Sequence, residues 1–106
     1  MADTPSKSLR AVIDAFKGES DGPNSLSEAK LFIFEGIKTL KSENFIRRTI
    51  QWNDVNCIAD NYGLIYAKKP WFVKFLIEDA CLEEVSFHPP DRDDVTVGGI
   101  NIRKGL

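Results

Sequence analysis

The chain has 106 residues and a formal net charge of −2, with 42% hydrophobic and 28% charged residues. This balance is typical of a single globular domain over residues 1–106, and it excludes the disordered and membrane-spanning classes of chain. The slightly acidic total argues against a dedicated nucleic-acid-binding protein, because such domains are usually basic.

Cysteine content and the N-terminal sequence together predict a cytoplasmic protein. Cys57 and Cys81 are the only cysteines, and both stand among apolar residues. This pattern is typical of buried free thiols rather than of the disulfide framework of a small secreted domain. Residues 1–5 are small and polar, and we expect them to be disordered. The first residues lack the apolar core of a signal peptide, and no stretch approaches the roughly 20 apolar residues of a membrane span.

Two helices are predicted within the helical part, residues 7–41. The first, over residues 7–17, carries apolar residues at helical spacing, and Gly18 suits the left-handed residue that ends a helix. Ser6 or Ser8 can cap its start. The second begins at Ser25, and Ser25 with Glu28 has the spacing of a capping box. Its apolar face is wider than one stripe, because Leu31 and Phe34 extend it, so either this helix is covered on two sides or part of its surface meets a partner.

Residues 42–50 fit two structures. As a helix they place four residues on one face (Phe45, Ile46, Thr49 and Ile50), and as a strand they alternate. The β-rich end of this segment favours a short capped turn that gives way to a strand near Arg48.

The remainder, residues 48–103, predicts a β-sheet. Turns are expected at residues 60–63 and 68–70, and Gly98-Gly99 joins two β-branched runs as a hairpin. Closely spaced strands with no helix between them predict an antiparallel meander of about four to six strands. With the two N-terminal helices packed on it, the expected fold is a two-layer α+β domain.

One predicted strand carries the main clue to function. Trp71, Val73 and Phe75 alternate as an apolar face for the helices to cover, while Phe72, Lys74 and Leu76 lie on the opposite face and also need a cover. We therefore predict a partner-binding surface on this second face and on the wide second helix, formed by Phe72, Lys74, Leu76, Leu31 and Phe34.

The main functional prediction is a small non-catalytic module that acts through protein–protein contact. The partner is another protein or a second copy of the chain, since an unpaired strand edge invites strand addition or homodimerisation. Small size and cysteine-poor composition favour a bacterial or phage accessory or regulatory factor. No metal, cofactor or membrane is expected: the acidic residues 91–94 do not fit the EF-hand spacing, and the glycines open no helix.

Two alternatives from other classes remain open. A nucleic-acid-binding module would use basic and aromatic residues on the sheet, where bases stack and phosphates pair: Arg47, Arg48, Lys68, Lys69 and Trp71. A small enzyme would use His88, the only histidine, with Asp91 or Cys81, provided that their side chains converge on one concave pocket.

Overall fold

The computed structural model describes residues 6–50, 58–76 and 85–104, and the expectations for residues 1–5, Cys57 and Cys81 lie outside these ranges. In chain order the elements are helices α1 (Ser6–Ala15) and α2 (Leu26–Lys38), a 3-10 turn (Ser42–Asn44), and strands β1 (Phe45–Ile50), β2 (Ile58–Tyr66), β3 (Lys69–Leu76), β4 (Val85–His88), β5 (Asp94–Val95) and β6 (Asn101–Ile102). The predicted α+β class is confirmed, with the helices preceding the strands. Neither described helix is long and apolar enough to cross a membrane.

The helix ends follow the capping residues in the sequence. Ser25 is the N-cap of α2, and its hydroxyl accepts a hydrogen bond from the Glu28 backbone N–H at 3.2 Å. The Glu28 carboxylate accepts in return from the N–H of Asn24, one residue before the cap, at 3.1 Å. Gly18 has φ +86°, the left-handed conformation expected after the first helix, which itself ends at Ala15.

β1 to β4 form one antiparallel sheet in the order β1-β2-β3-β4. Residues 42–50, for which the sequence fits both a helix and a strand, form a 3-10 turn followed by β1. This strand begins at Phe45, three residues before the expected start. The predicted turn at residues 60–63 is wrong: those residues lie inside β2 and pair with Val73, Phe75 and their neighbours on β3. Tertiary pairing here overrides the turn preference of Asn61 and Gly63.

The β2–β3 turn consists of Ala67 and Lys68, so it falls one residue earlier than predicted. Both residues have positive φ, 53° and 65°, as a type I′ turn requires. Pro70 is the second residue of β3 and pairs with Ile65. Since β4 pairs with β3 only from Phe72 onward, no β4 neighbour needs the N–H that Pro70 lacks.

The hydrophobic core lies between the helices and one face of the sheet. Its wholly buried residues include Val12 from α1, Ile33 from α2, and Trp71, Val73 and Phe87 from the sheet. The Trp71 indole packs against three phenyl rings and donates a hydrogen bond to the Tyr66 carbonyl at 2.9 Å. Trp71, Val73 and Phe75 therefore face the helices as predicted.

The opposite face of the sheet, hereafter the second face, includes Gly63, Phe72, Lys74, Ser86 and His88. It receives part of its cover from the same chain, because β5 and β6 form a separate hairpin that crosses it. Ile102 of β6 is fully buried, and a Cβ on Gly63 would overlap the Ile102 side chain. The expected two layers are thus helices and sheet, with a small third layer beneath the sheet.

Candidate binding groove

A groove of about 1130 Å³ runs beside β4, hereafter the β4 groove. It is bordered by α1 on one side and by residues 89–94 on the other, and the second-face side chains of β3 and β4 line it between them. From α1 it takes Ala11, Asp14 and Ala15, and from the sheet Phe72, Lys74, Ser86 and His88. Every one of its described lining residues comes from these elements, and none from α2.

α1 is held against β4 by a side chain at the outer edge of the sheet. The Phe87 backbone N–H donates a hydrogen bond to the Ser8 hydroxyl at 3.1 Å, and Ser8 is buried. In an antiparallel sheet the edge strand turns alternate N–H groups outward, and each needs an acceptor when buried. Ser8 therefore closes part of the β4 edge instead of capping its own helix.

Phe72 and His88 provide the aromatic part of the groove. They are cross-strand neighbours, and their rings stack with centroids 5.5 Å apart and an interplanar angle of 30°. His88 Nδ1 lies 2.7 Å from the Pro89 carbonyl oxygen, and since a carbonyl only accepts, Nδ1 carries the proton. This bond fixes the imidazole beside Phe72, so the groove presents a preformed flat surface.

Asp94 marks the end of the groove next to β1. Its side chain is 11% exposed and binds the Arg47 guanidinium through Oδ1, which ties β5 to the sheet. The second oxygen, Oδ2, is buried without a hydrogen-bond partner, and Arg92 Nε forms an ion pair with it at 3.5 Å. The carboxylate thus keeps an acceptor position beyond its structural bond to Arg47.

The partner-binding residues predicted from sequence fall into separate places. Phe72 and Lys74 line the β4 groove and are half-buried. Leu76 ends β3, where its backbone pairs with Ala59, and its side chain is outside the described part. Leu31 and Phe34 lie on α2, away from the groove.

The basic and aromatic residues predicted for nucleic-acid binding do not form one open surface. Trp71 has no exposed area, so its ring cannot stack on a base. Arg47 binds Asp94, and Lys69 binds Glu19 at 2.9 Å with its ammonium 5.0 Å from the Phe16 ring centroid. Lys68 is exposed on the β2–β3 turn.

Arg48 also has an acidic partner. Its guanidinium binds both carboxylate oxygens of Asp60, its cross-strand neighbour, at 2.7 and 3.0 Å. The Arg48 hydrogen bonds hold the pKa of the Asp60 carboxyl below its ordinary value, so the pair stays charged through the neutral range. The arginine pair of β1 is therefore largely neutralised by this chain's own carboxylates.

Two of the candidate catalytic residues share the groove, but the described part of the chain shows no hydrogen bond between them. His88 and Asp91 both line it, and Cys81 is outside the described residues. His88 Nδ1 bonds to Pro89, and within the described ranges no hydrogen bond joins the imidazole to Asp91 or Ser86. A general base needs hydrogen-bond reach to a nucleophile, which these contacts do not supply.

Sequence reasoning missed several residues that build the groove. Ser86 and Asp94 both line it, and neither is among the site residues that the sequence predicts. Alternation in β4 could have placed Ser86 with His88 on one face. Nothing in the local sequence signals that Asp94 reaches back to Arg47, 47 residues away in the chain.

Within the described residues, no group of histidine, cysteine and acidic side chains is arranged to hold a metal ion. Comparisons with protein-family models, with curated proteins and with solved structures find no match to this chain.

Proposed function

We propose that this protein is a small non-catalytic binding module whose β4 groove holds a segment of a partner protein. The observation that carries the proposal is the groove itself, which brings the predicted partner-binding residues Phe72 and Lys74 together with the His88 ring. At about 1130 Å³ it exceeds the usual 300–1,000 Å³ of a small-molecule site. A stretch of polypeptide suits such dimensions better than a compact metabolite.

The charges around the groove favour a protein ligand over a polyanion. Basic Lys7, Lys74 and Arg92 are matched by three aspartates on the same lining (Asp14, Asp91 and Asp94). A nucleic-acid phosphate backbone would meet repulsion from these carboxylates, whereas a peptide with both amide groups and mixed charges can pair with either sign. Phe72 and His88 would accept an aromatic or proline side chain of the partner.

We further infer that the protein acts in the cytoplasm as an accessory or regulatory factor of a bacterium or phage. Its low cysteine content, two in 106 residues, supports a reducing compartment. Its small size supports an accessory role.

Selection of peptides from a display library, followed by fluorescence anisotropy with the selected peptides, tests the groove. Phe72→Ala should weaken binding about tenfold or more, because it removes the ring that stacks on His88. Lys74→Glu should lower the affinity for acidic peptides and raise it for basic ones.

Lys68→Glu is the matched control, with the same change of charge on an exposed turn outside the groove lining. It should leave the affinity within about twofold, as expected for a charge far from the contact. Peptides that bind Phe72→Ala and Lys74→Glu as tightly as the unmodified protein would contradict the proposal. Salt-sensitive binding of single-stranded oligonucleotides, weakened equally by Lys68→Glu, would instead favour the nucleic-acid alternative.

A further inference from the structure

The outward surface of α2 carries apolar side chains that the core does not use. Ala29, Ile33 and Gly36 are the buried residues of the helix and define its inward side. Leu31 lies on the opposite side with 61% of its surface exposed, and Phe34, one turn further on, is half-buried. Leu31 and Phe34 therefore form a small apolar patch on the outward side of the helix.

Charged residues flank this apolar pair in a regular order. Lys30 stands immediately before Leu31, and Glu35 immediately after Phe34, and both are exposed. In a heptad the two apolar residues occupy the seam positions a and d, which places Lys30 at position g and Glu35 at position e. Residues at g and e lie on either side of the seam, and their charges determine which helix pairs and whether it runs parallel or antiparallel.

These charges distinguish between the two directions in which a second copy of α2 could lie. In a parallel pair each g residue faces the e residue five positions on in its partner, so Lys30 of each chain meets Glu35 of the other. In an antiparallel pair g faces g and e faces e, which would bring lysine against lysine and glutamate against glutamate. The g and e charges are therefore complementary only in the parallel arrangement.

Lys38 is the next residue on the seam, and in a parallel pair it faces Lys38 of the second copy. Its ammonium lies 4.7 Å from the Phe34 ring centroid and 3.6 Å from Glu35 Oε1. These contacts with Phe34 and Glu35 of its own helix reduce the repulsion between the two Lys38 ammonium groups. A polar residue at a seam position also restricts a pair of helices to one register at some cost in affinity.

We propose that two copies of this protein associate through parallel contact of their α2 helices, hereafter the α2 surface, with Leu31 packed on Leu31 and Phe34 on Phe34 about a twofold axis. The contact covers about two helical turns, so it buries less than the roughly 1,200–2,000 Å² of a stable complex. The dimer is accordingly weak and forms with rising protein concentration. The α2 surface shares no described residue with the β4 groove, so dimerisation leaves the groove open.

Sedimentation equilibrium from about 1 to 500 μM under reducing conditions measures this association. Lys30→Glu and Glu35→Lys should each raise the dimer dissociation constant about five- to tenfold, because each places like charges together at two symmetric positions. The double variant Lys30→Glu/Glu35→Lys should return it to within about threefold, since the exchanged charges again face each other. Lys17→Glu, an exposed lysine after α1, is the matched control and should change nothing.

Oxidative cross-linking of Leu31→Cys tests the direction of the helices. In a parallel pair the two introduced thiols meet at the axis and should form a covalent dimer, whereas Lys17→Cys and the unmodified protein, oxidised alongside, should not do so beyond background. A monomer at every concentration without Leu31→Cys cross-linking overturns the proposal, and so does a dimer that neither charge reversal weakens. Circular dichroism of each variant shows that α2 is intact. Because Phe72→Ala should leave the dissociation constant unchanged, failure here is distinct from failure of the β4 groove.

Discussion

Asn44 joins the connection after α2 to the sheet through a side chain that is 5% exposed. Its carbonyl oxygen accepts from the Lys41 N–H at 2.8 Å, and its amide donates to the Gly63 carbonyl at 2.9 Å. Gly63 follows Tyr62, which is the last residue of β2 to pair with β1. The amide therefore continues the hydrogen-bonding ladder one position beyond the point where the backbone of β1 leaves it.

We predict that Asn44→Ala lowers the free energy of unfolding by about 2 kcal/mol, because it leaves a buried carbonyl and a backbone N–H without partners. Urea denaturation followed by circular dichroism measures the change. Asn101→Ala is the matched control: Asn101 is exposed on β6, and the change there should stay below about 0.5 kcal/mol. Equal losses in the two variants would show that the Asn44 hydrogen bonds contribute nothing specific.

Local capping could be predicted from sequence, whereas the buried amides could not. Ser25 and Glu28 have a recognisable spacing, because the groups that they satisfy lie within one helical turn. Asn44 and Asn61 instead bond to main-chain atoms 19 and 14 residues away. No local pattern encodes such a partner, so the sequence indicates only the turn preference of Asn61.

At the scale of elements, the β2–β3 hairpin has a turn whose residues do not suit its geometry. Ala67 and Lys68 both adopt positive φ, which costs an ordinary L-residue about 1–2 kcal/mol. The favoured sequence for this turn is Asn-Gly. Because that signal is absent, sequence reasoning placed the turn at the next residues, where proline suggested a break.

Replacing Ala67-Lys68 by Asn-Gly should raise the free energy of unfolding by about 1–2 kcal/mol, since both new residues tolerate positive φ. The shift of the urea midpoint at constant slope is the measurement. An Asn-Gly variant no more stable than the unmodified chain would argue against the type I′ turn.

Gly99→Ala gives the opposite test, because Gly99 has φ +85° and no atom within 4 Å of an added Cβ. The free energy of unfolding of this variant should fall by about 1 kcal/mol from backbone strain alone.

At the scale of the whole molecule, the helices cover one face of the sheet and the β5–β6 hairpin covers part of the other. Alternation in β3 indicated that the second face needs a cover, and a hairpin at the two glycines was also predicted from sequence. The sequence does not show that this hairpin covers part of the second face, because two short strands carry no information on which face of a sheet they pack against. Part of the second face that the hairpin leaves uncovered lines the β4 groove, and the α2 surface lies elsewhere on the molecule. A dimer formed through α2 would thus present two grooves to a partner.

The packing of the β5–β6 hairpin against the sheet depends on Gly63. A Cβ at this position would overlap Ile102 and lie 3.0 Å from Thr96 Cγ2, so Gly63→Ala must push the hairpin away from the second face. We predict a loss of about 1–3 kcal/mol, typical of overpacking in a close-packed interior. We also expect faster amide hydrogen exchange at Thr96 and Ile100, whose N–H groups bond within the hairpin.

Gly18→Ala separates this local effect from a general loss of stability. Gly18 has φ +86° with no atom within 4 Å of an added Cβ, so its replacement strains the backbone after α1 without touching the hairpin. At a matched loss of unfolding free energy, only Gly63→Ala should accelerate exchange at Thr96 and Ile100 relative to the amides of α2. If the two variants accelerate these amides equally, the hairpin is not a layer that Gly63 holds in place, and the wall of the β4 groove formed by Asp94 would need another support.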